Sequence, residues 1–315
     1  MNNDRQVKVS IRCTTYNHEK YIKECLDSLI NQVTSFKYEI IVHDDASTDA
    51  TASIIRDYAE RFPDIIVPIY EKENVFSKDR NLVRKIVTSN CKGQYMAWCE
   101  GDDYWCDQYK LQKQVDIMDS DREIGLVYGK SKQYDQSKGK FLAKTIGEKV
   151  LSSEALLFNN TIPTATVLVR SSIYYEYMKD QEIQNNQWLM GDYPLWIYCS
   201  IKSKVFFMDD VISVYRVLRE SASHSLVNRQ KLESFYESAT QMKLFFNDRY
   251  KLVDNDIITS QHHELLLYNA ASFSDRKSVI DNYCLVVTPS RISRFFYVIS
   301  KLHLLWLYRL FKQIK

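Results

Sequence analysis

Glycine and proline are scarce in this chain, 7 and 5 among 315 residues. That leaves no room for long flexible linkers or proline-rich spacers, and a disordered or fibrous protein is excluded. Charge of one sign is not in excess either: 42 Lys and Arg stand against 40 Asp and Glu, a net +2 that gives a nucleic-acid binder no basic field and points to no nucleic-acid partner. Nowhere do about 18 apolar residues run together without a charge, so no membrane span is expected. The seven cysteines (13, 25, 91, 99, 106, 199 and 284) are odd in number and form no CxxC pair. They read as thiols in a reducing compartment, not as a disulfide framework or zinc site. The opening MNNDRQVKVS lacks the apolar core of a secretory leader, so a cytoplasmic location is expected.

What remains is ordinary globular composition, 45% hydrophobic and 26% charged, in a length that suits one large domain or a domain with an appendage. Over the first 130 residues two periodicities alternate. VKVSI (7–11), YEIIVHD (38–44), DIIVPIY (64–70), YMAWC (95–99) and IGLVYG (124–129) read as strands, with Pro68 arguing for an edge position or an early exit from the third. Between them, helical spacing appears around 22–30, 47–62, 82–87 and 109–118, with Ser47 or Thr48 as the cap of the second helix. Strands alternating with helices imply an α/β sheet, mostly parallel, whose ligands bind beyond the carboxyl ends of the strands. Farther on, TATVLVR (164–170) and KVFFMDDVISVYRV (204–217) read as strands, and the pattern turns helical from 229. From 282 to 315 there is no acid, while Arg291, Arg294, Lys301, Arg309, Lys312 and Lys315 alternate with large apolar residues. That pattern suits a helix lying on a membrane surface, or equally one packed on its own domain.

The polar clusters TTYN, HDDASTD and EGDDYW all fall at predicted strand ends. In EGDDYW, Glu100, Asp102 and Asp103 crowd together with an aromatic pair behind them. Such acids belong either to a solvated turn or to a cation: Mg²⁺ and Mn²⁺ take oxygen ligands and leave positions open for phosphate. The aromatic surface weighs against a plain turn. Asp44 or Asp45 at the second strand end suits a ribose or nucleobase, alongside simple helix capping by its neighbours.

In order and spacing, VSIRCTTYNHEKYIKECLDSLINQ, YEIIVHDDASTDAT and GQYMAWCEGDDYW resemble the bacterial family 2 glycosyltransferases with the GT-A fold, over about 7–130 and more loosely to about 225. The resemblance implies a GT-A domain over 1–225, with a nucleotide-sugar half (1–130) and an acceptor half (131–225), then a helical extension (226–290) and a basic amphipathic helix (291–315). It implies an inverting, metal-dependent transfer from a nucleotide-diphosphate sugar, uridine-linked in most members. The acceptor is a hydroxyl of a saccharide or lipid-linked molecule, in surface polysaccharide synthesis at the inner face of the plasma membrane. On matching positions it places Thr14, Tyr16 and Asp45, with Asp44 adjacent, on the nucleotide. Asp103 becomes the ligand of Mn²⁺ or Mg²⁺, and Asp102 a contact to ribose or metal water. Asp192 in LMGDYPLW becomes the general base that an attacking hydroxyl needs. Arg80 and Arg84 become candidate diphosphate contacts, although DRNLVRKIVTSNCKGQY is longer than the family spacing. His224 becomes a metal ligand, although it stands farther past Tyr215 and Arg216 than in relatives. Thr164, Thr166, Trp188 and Tyr193 are the expected acceptor lining, and Glu100 receives no role. Two other classes compete. A metal-dependent nucleotidyltransferase would carry a glycine-rich phosphate loop, which CTTYNHEKY lacks. A non-catalytic nucleotide-sugar scaffold would keep the fold with Asp192 buried in an ion pair away from the cleft.

Overall fold

The computed structural model of the chain describes residues 6–218, 228–306 and 308. Two compact units divide it: Met1–Asn186 with Gly191–Leu218, and Gln187–Met190 with Arg219–Lys315.

The first unit is built on nine strands: β1 (Val9–Thr15), β2 (Tyr38–Asp44), β3 (Ile66–Tyr70), β4 (Tyr95–Trp98), β5 (Tyr104–Trp105), β6 (Ile124–Asp135), β7 (Lys140–Phe141), β8 (Leu168–Arg170) and β9 (Lys204–Val217). They form one sheet in the order β3-β2-β1-β4-β8-β6-β9-β5, with β7 paired to β6. From β3 to β4 every pairing is parallel; the short β8 runs antiparallel to both β4 and β6, and β6 and β9 are again parallel. In β2 every residue after Tyr38 is buried, as expected of a parallel strand covered on both faces. Pro68 lies in β3 at the edge of the sheet, where its missing N–H costs no ladder bond.

Helices α1 (Ile22–Ile30), α2 (Thr51–Arg61), α3 (Arg80–Ser89), α4 (Lys110–Ser120), α5 (Ser153–Phe158), α6 (Ser171–Lys179), α7 (Gln181–Gln184) and α8 (Tyr193–Lys202) accompany the sheet. Ile22, Cys25, Leu26 and Leu29 of α1 are fully buried with Ile11, Ile40 and Val42 of the strands, so the helical spacing seen in the sequence is the core face of the unit. Two local expectations fail. Helix α2 begins at Thr51, not after Ser47 or Thr48, and the Asp49 carboxylate accepts the Thr51 amide (2.9 Å). TATVLVR is not one strand: Pro163 O accepts both the amide (3.0 Å) and the hydroxyl (2.7 Å) of Thr166. This closes a 3₁₀ turn over Thr164–Thr166 before β8 starts.

The second unit is helical: α9 (Arg229–Tyr250), α10 (Asn255–Ser272), α11 (Arg276–Tyr283) and α12 (Arg291–Lys301). Each opens on a capping side chain, respectively Asn228, Asp254, Asp275 and Ser290, that accepts an amide of the first turn. Leu267, Ala270, Ala271, Val279, Phe296 and Leu305 make its core. No helix among the described residues is long and apolar enough to cross a membrane. All seven thiols are free; five are buried, and the exposed pair is Cys106 in the first unit and Cys284 in the second.

Lys110 is a charged residue buried in the core. Its ammonium is fully buried 3.9 Å from the centre of the Trp105 ring, donating to Gln114 Oε1 (2.8 Å). Burial pushes it down from 10.5 to about 7. Between those values the unfolded chain binds a proton that the folded chain does not, so stability climbs with pH at up to about 1.4 kcal/mol per pH unit. We expect the unfolding free energy of the wild type, measured by urea titration, to gain on that of Lys110→Met as pH rises from 7 to 9, over and above the fall that the raised carboxyls impose on both. An unchanged slope in the variant would show that Lys110 is not the group responsible.

Candidate active site

The carboxyl ends of β1, β2 and β4 carry three loops that are tied to one another. After β1, Asn17 turns through a left-handed conformation (φ 56°), and its amide donates to Ser47 Oγ (2.9 Å) while its Oδ1 accepts the Thr48 amide (2.8 Å). The His18 amide donates to Thr51 Oγ1 (2.8 Å). Glu19 and Asp49 exchange contacts in the same way: the Glu19 amide donates to Asp49 Oδ2 (3.1 Å), and the Ala50 amide to Glu19 Oε2 (3.0 Å). The Asn-His-Glu and Ser-Thr-Asp runs are therefore two halves of one lacing.

The acidic loop is seated on the same platform. The Cys99 amide donates to Arg12 O (3.1 Å) and the Gly101 amide to Thr14 O (2.9 Å). Only glycine fits at 101, because a Cβ there would stand 2.7 Å from both Cβ and Oγ1 of Thr15. With its backbone fixed, the loop brings carboxylate oxygens of Glu100, Asp102 and Asp103 within 4.8 Å of one another. The aromatic pair behind it anchors the loop to the sheet. Tyr104 and Trp105 form β5 against Val214 and Ser213, and Trp105 Nε1 donates to Ala165 O (2.8 Å).

Asp103 is only 4% exposed, and its Oδ1 accepts the Arg216 amide (2.8 Å). Burial, then the charges of Asp102 and Glu100, hold its carboxyl well above the usual range, against the pull of Arg216. The Arg216 guanidinium pairs with Glu24 and lies over the Tyr104 ring, 4.9 Å from its centre. Glu100 reaches solvent, yet partial desolvation by its surroundings, then the charges of Asp102 and Asp192, raise it to about 8. Three hard oxygen donors that repel one another fit a divalent cation such as Mg²⁺ or Mn²⁺.

Asp192, half-buried, caps α8: its Oδ1 accepts the Tyr193 amide (2.7 Å), and its Oδ2 accepts the Thr164 hydroxyl. The carbonyl just before it, Gly191 O, accepts Arg84 Nη2 (2.9 Å). Its charge is one of those that raise Glu100, so it lies within electrostatic reach of the acid cluster.

Other expected residues have different surroundings. Asp45 is buried, its two oxygens accepting the Val75 (2.8 Å) and Phe76 (3.0 Å) amides; Asp44 accepts the Ser47 hydroxyl. Thr14 is half-buried and Tyr16 exposed at the mouth of the same loops. Arg80 lies over the Phe76 ring, 5.1 Å from its centre. Three of the four acceptor-lining residues are otherwise engaged. Thr164 holds Asp192, Thr166 is fully buried on Pro163, and the Tyr193 hydroxyl donates to Leu156 O (2.6 Å). Thr166 and Tyr193 are both buried, with their hydroxyls bonded to backbone carbonyls. Trp188 belongs to the second unit, against Phe245 and Phe246, and His224 lies outside the described residues. Sequence reasoning misses Glu24 and the Arg84–Gly191 and Thr164–Asp192 contacts; nothing local marks them.

The profile described as "Glycosyl transferase family 2" matches residues 10–186. An uncharacterized protein of Mycobacterium tuberculosis is 35% identical over 219 residues, 69% of this chain and 61% of that protein; the chain thus spans about three-fifths of that relative's length. Among solved structures, S. aureus TarS 1-349 in complex with UDP-GlcNAc superposes with a TM-score of 0.64 at 18% identity, over 96% of this chain and 90% of that one. The mannosyltransferase PcManGT from Pyrobaculum calidifontis, in complex with GDP-Man and Mn²⁺, gives 0.54 at 16% identity, over 98% and 88%. These two show the GT-A fold. The chain belongs to glycosyltransferase family 2.

The raised carboxyls fix a pH dependence. Glu100, ordinarily near 4.5, holds its proton to about 8 in the folded chain, so folding is progressively penalised as pH rises from 4.5 to 8. In chelator, the melting temperature is expected to fall between pH 6 and pH 8, and Glu100→Gln to reduce that fall. Mn²⁺ should stabilise the wild type more at pH 8 than at pH 6. A fall that Glu100→Gln leaves intact would remove Glu100 from the cluster.

Proposed function

We propose that this family 2 member transfers a sugar, with inversion, from a nucleotide-diphosphate sugar to a hydroxyl of a saccharide or lipid-linked acceptor during surface polysaccharide synthesis. The observation that carries the reading is the cluster of Glu100, Asp102 and Asp103 beyond the ends of β1, β2 and β4, with the capping carboxylate Asp192 within electrostatic reach of Glu100. A base and an anion-neutralising site are what a single displacement requires. The acceptor oxygen bonds to the anomeric carbon as the bond to the diphosphate breaks, and its proton passes to Asp192. Asp103, with Asp102 and Glu100, would hold a divalent cation, whose chemistry is to neutralise charge on the departing nucleoside diphosphate.

The engagement of Asp192 with a hydroxyl and an amide, and its electrostatic reach to Glu100, support catalysis over a scaffold that has lost turnover. Thr164 orients one oxygen, the amide of Tyr193 the other, and Arg84 anchors the preceding carbonyl. The tie to Gly191 supports Arg84 as a positioning residue for the base in place of a diphosphate contact. The uridine donor is supported by family habit and by the UDP-GlcNAc carried by the TarS neighbour; the guanosine sugar of PcManGT is the competing choice. The tail's basic, apolar composition supports a location at the inner face of the plasma membrane, beside a lipid-linked acceptor.

Asp192→Asn keeps a good helix cap, so folding and donor binding should survive while turnover falls about 10²- to 10⁴-fold. Nucleotide-sugar binding by calorimetry and turnover by nucleotide release read the two separately; full turnover in the variant would refute the assignment. Arg84→Met should lower kcat about 10- to 100-fold with donor affinity unchanged. Weakened donor binding at normal kcat would instead restore Arg84 to the diphosphate. A panel of uridine, guanosine and thymidine sugars, scored by Mn²⁺-dependent thermal stabilisation, tests the donor.

A further inference from the structure

Helix α12 buries one face and leaves a second, apolar one exposed. Ser293, Phe296 and Ser300 are buried against the core of the second unit. At about 100° per residue these three share an arc of about 60°. On the opposite side Ile292, Phe295, Val298 and the C-cap Leu302 are each more than half exposed, as is Trp306 just beyond. The first four fall within an arc of about 120°. Arg294 and Lys301 border that arc along one edge, and Arg291, in the first turn, lies within it. Glu264, an acid that touches the helix, lies on its inward side, accepting the Ser290 amide (3.2 Å) and the Ser293 hydroxyl.

We infer that the outward face of α12 docks on an anionic lipid surface, with Phe295, Val298 and Leu302 entering the headgroup boundary and Arg291, Arg294 and Lys301 meeting the phosphates. An apolar stripe with a cationic border and no acid from 282 onward is complementary to such a surface. Copies of this same face would bring cation against cation, which argues against a second copy as its occupant. Packing of Phe296 presents the stripe on a folded unit, so no free helix has to order on binding. The inference specifies the face and lipid class behind the membrane location proposed above, and is independent of the transfer chemistry.

The test is flotation of the full chain with vesicles of phosphatidylcholine alone or mixed equally with phosphatidylglycerol, at low and high salt. Binding is expected only to the mixed vesicles, and is expected to weaken with salt. The pair Phe295→Ser and Val298→Ser should lower partitioning about tenfold or more. The pair Arg291→Glu and Arg294→Glu should abolish the preference for the anionic lipid. All four positions are exposed and outside the catalytic machinery, so melting temperature and nucleotide release to a soluble acceptor should stay at wild-type values. No binding to either vesicle, or equal binding to both, would overturn the inference. So would light scattering that shows a dimer in the wild type and a monomer in the serine variant, which would assign the face to a second copy. Loss of nucleotide release with vesicle binding retained would count against the transferase reading alone.

Discussion

The site depends on keeping three carboxylates within 4.8 Å of one another at the end of a buried strand. Repulsion at that distance would spread a flexible loop, so the loop is made rigid. Its backbone is bonded to Arg12 and Thr14 of β1, and glycine at 101 lets it sit against the Thr15 side chain. The following residues become a strand, and Asp103 is held from beneath by the Arg216 amide. The fold thus places the acids before any counterion arrives, and the cost appears as carboxyls that hold their protons too long.

Much of the first half was legible from sequence because its signals are local. Parallel strands covered on both faces read as unbroken apolar runs, and in β2 the predicted and observed limits coincide. Polar clusters at strand ends located the loops, and Pro68 located the edge. The Ser-Thr-Asp run misled because the same residues serve a cap or a loop-to-loop lacing, and only the position of the Asn-His-Glu loop decides between them. TATVLVR misled because the Thr166 hydroxyl found a carbonyl three residues back, which propensity does not foresee.

Within the site, the acid cluster was legible as composition, and its supports were not. Thr164 and Asp192 are 28 residues apart, Arg84 and Gly191 107, Glu24 and Arg216 192. Contacts of that range leave no periodicity in a single sequence. The partners of the expected acceptor lining were hidden for a related reason: Thr166 and Tyr193 look available as polar groups, but backbone carbonyls accept their hydroxyls. In the tail, one stretch supported two readings because one helix has a buried face and an exposed apolar one, and which of them is covered depends on the core of the second unit.

The distribution of thiols has a practical consequence. Five of the seven are sealed within the protein, and the exposed two fall one to each unit, Cys106 beside β5 and Cys284 at the end of α11. The natural chain is therefore ready for site-selective attachment of a pair of fluorophores or spin labels, with no cysteine to remove. A distance between those labels would report directly on any rearrangement of the two units as donor and acceptor are supplied.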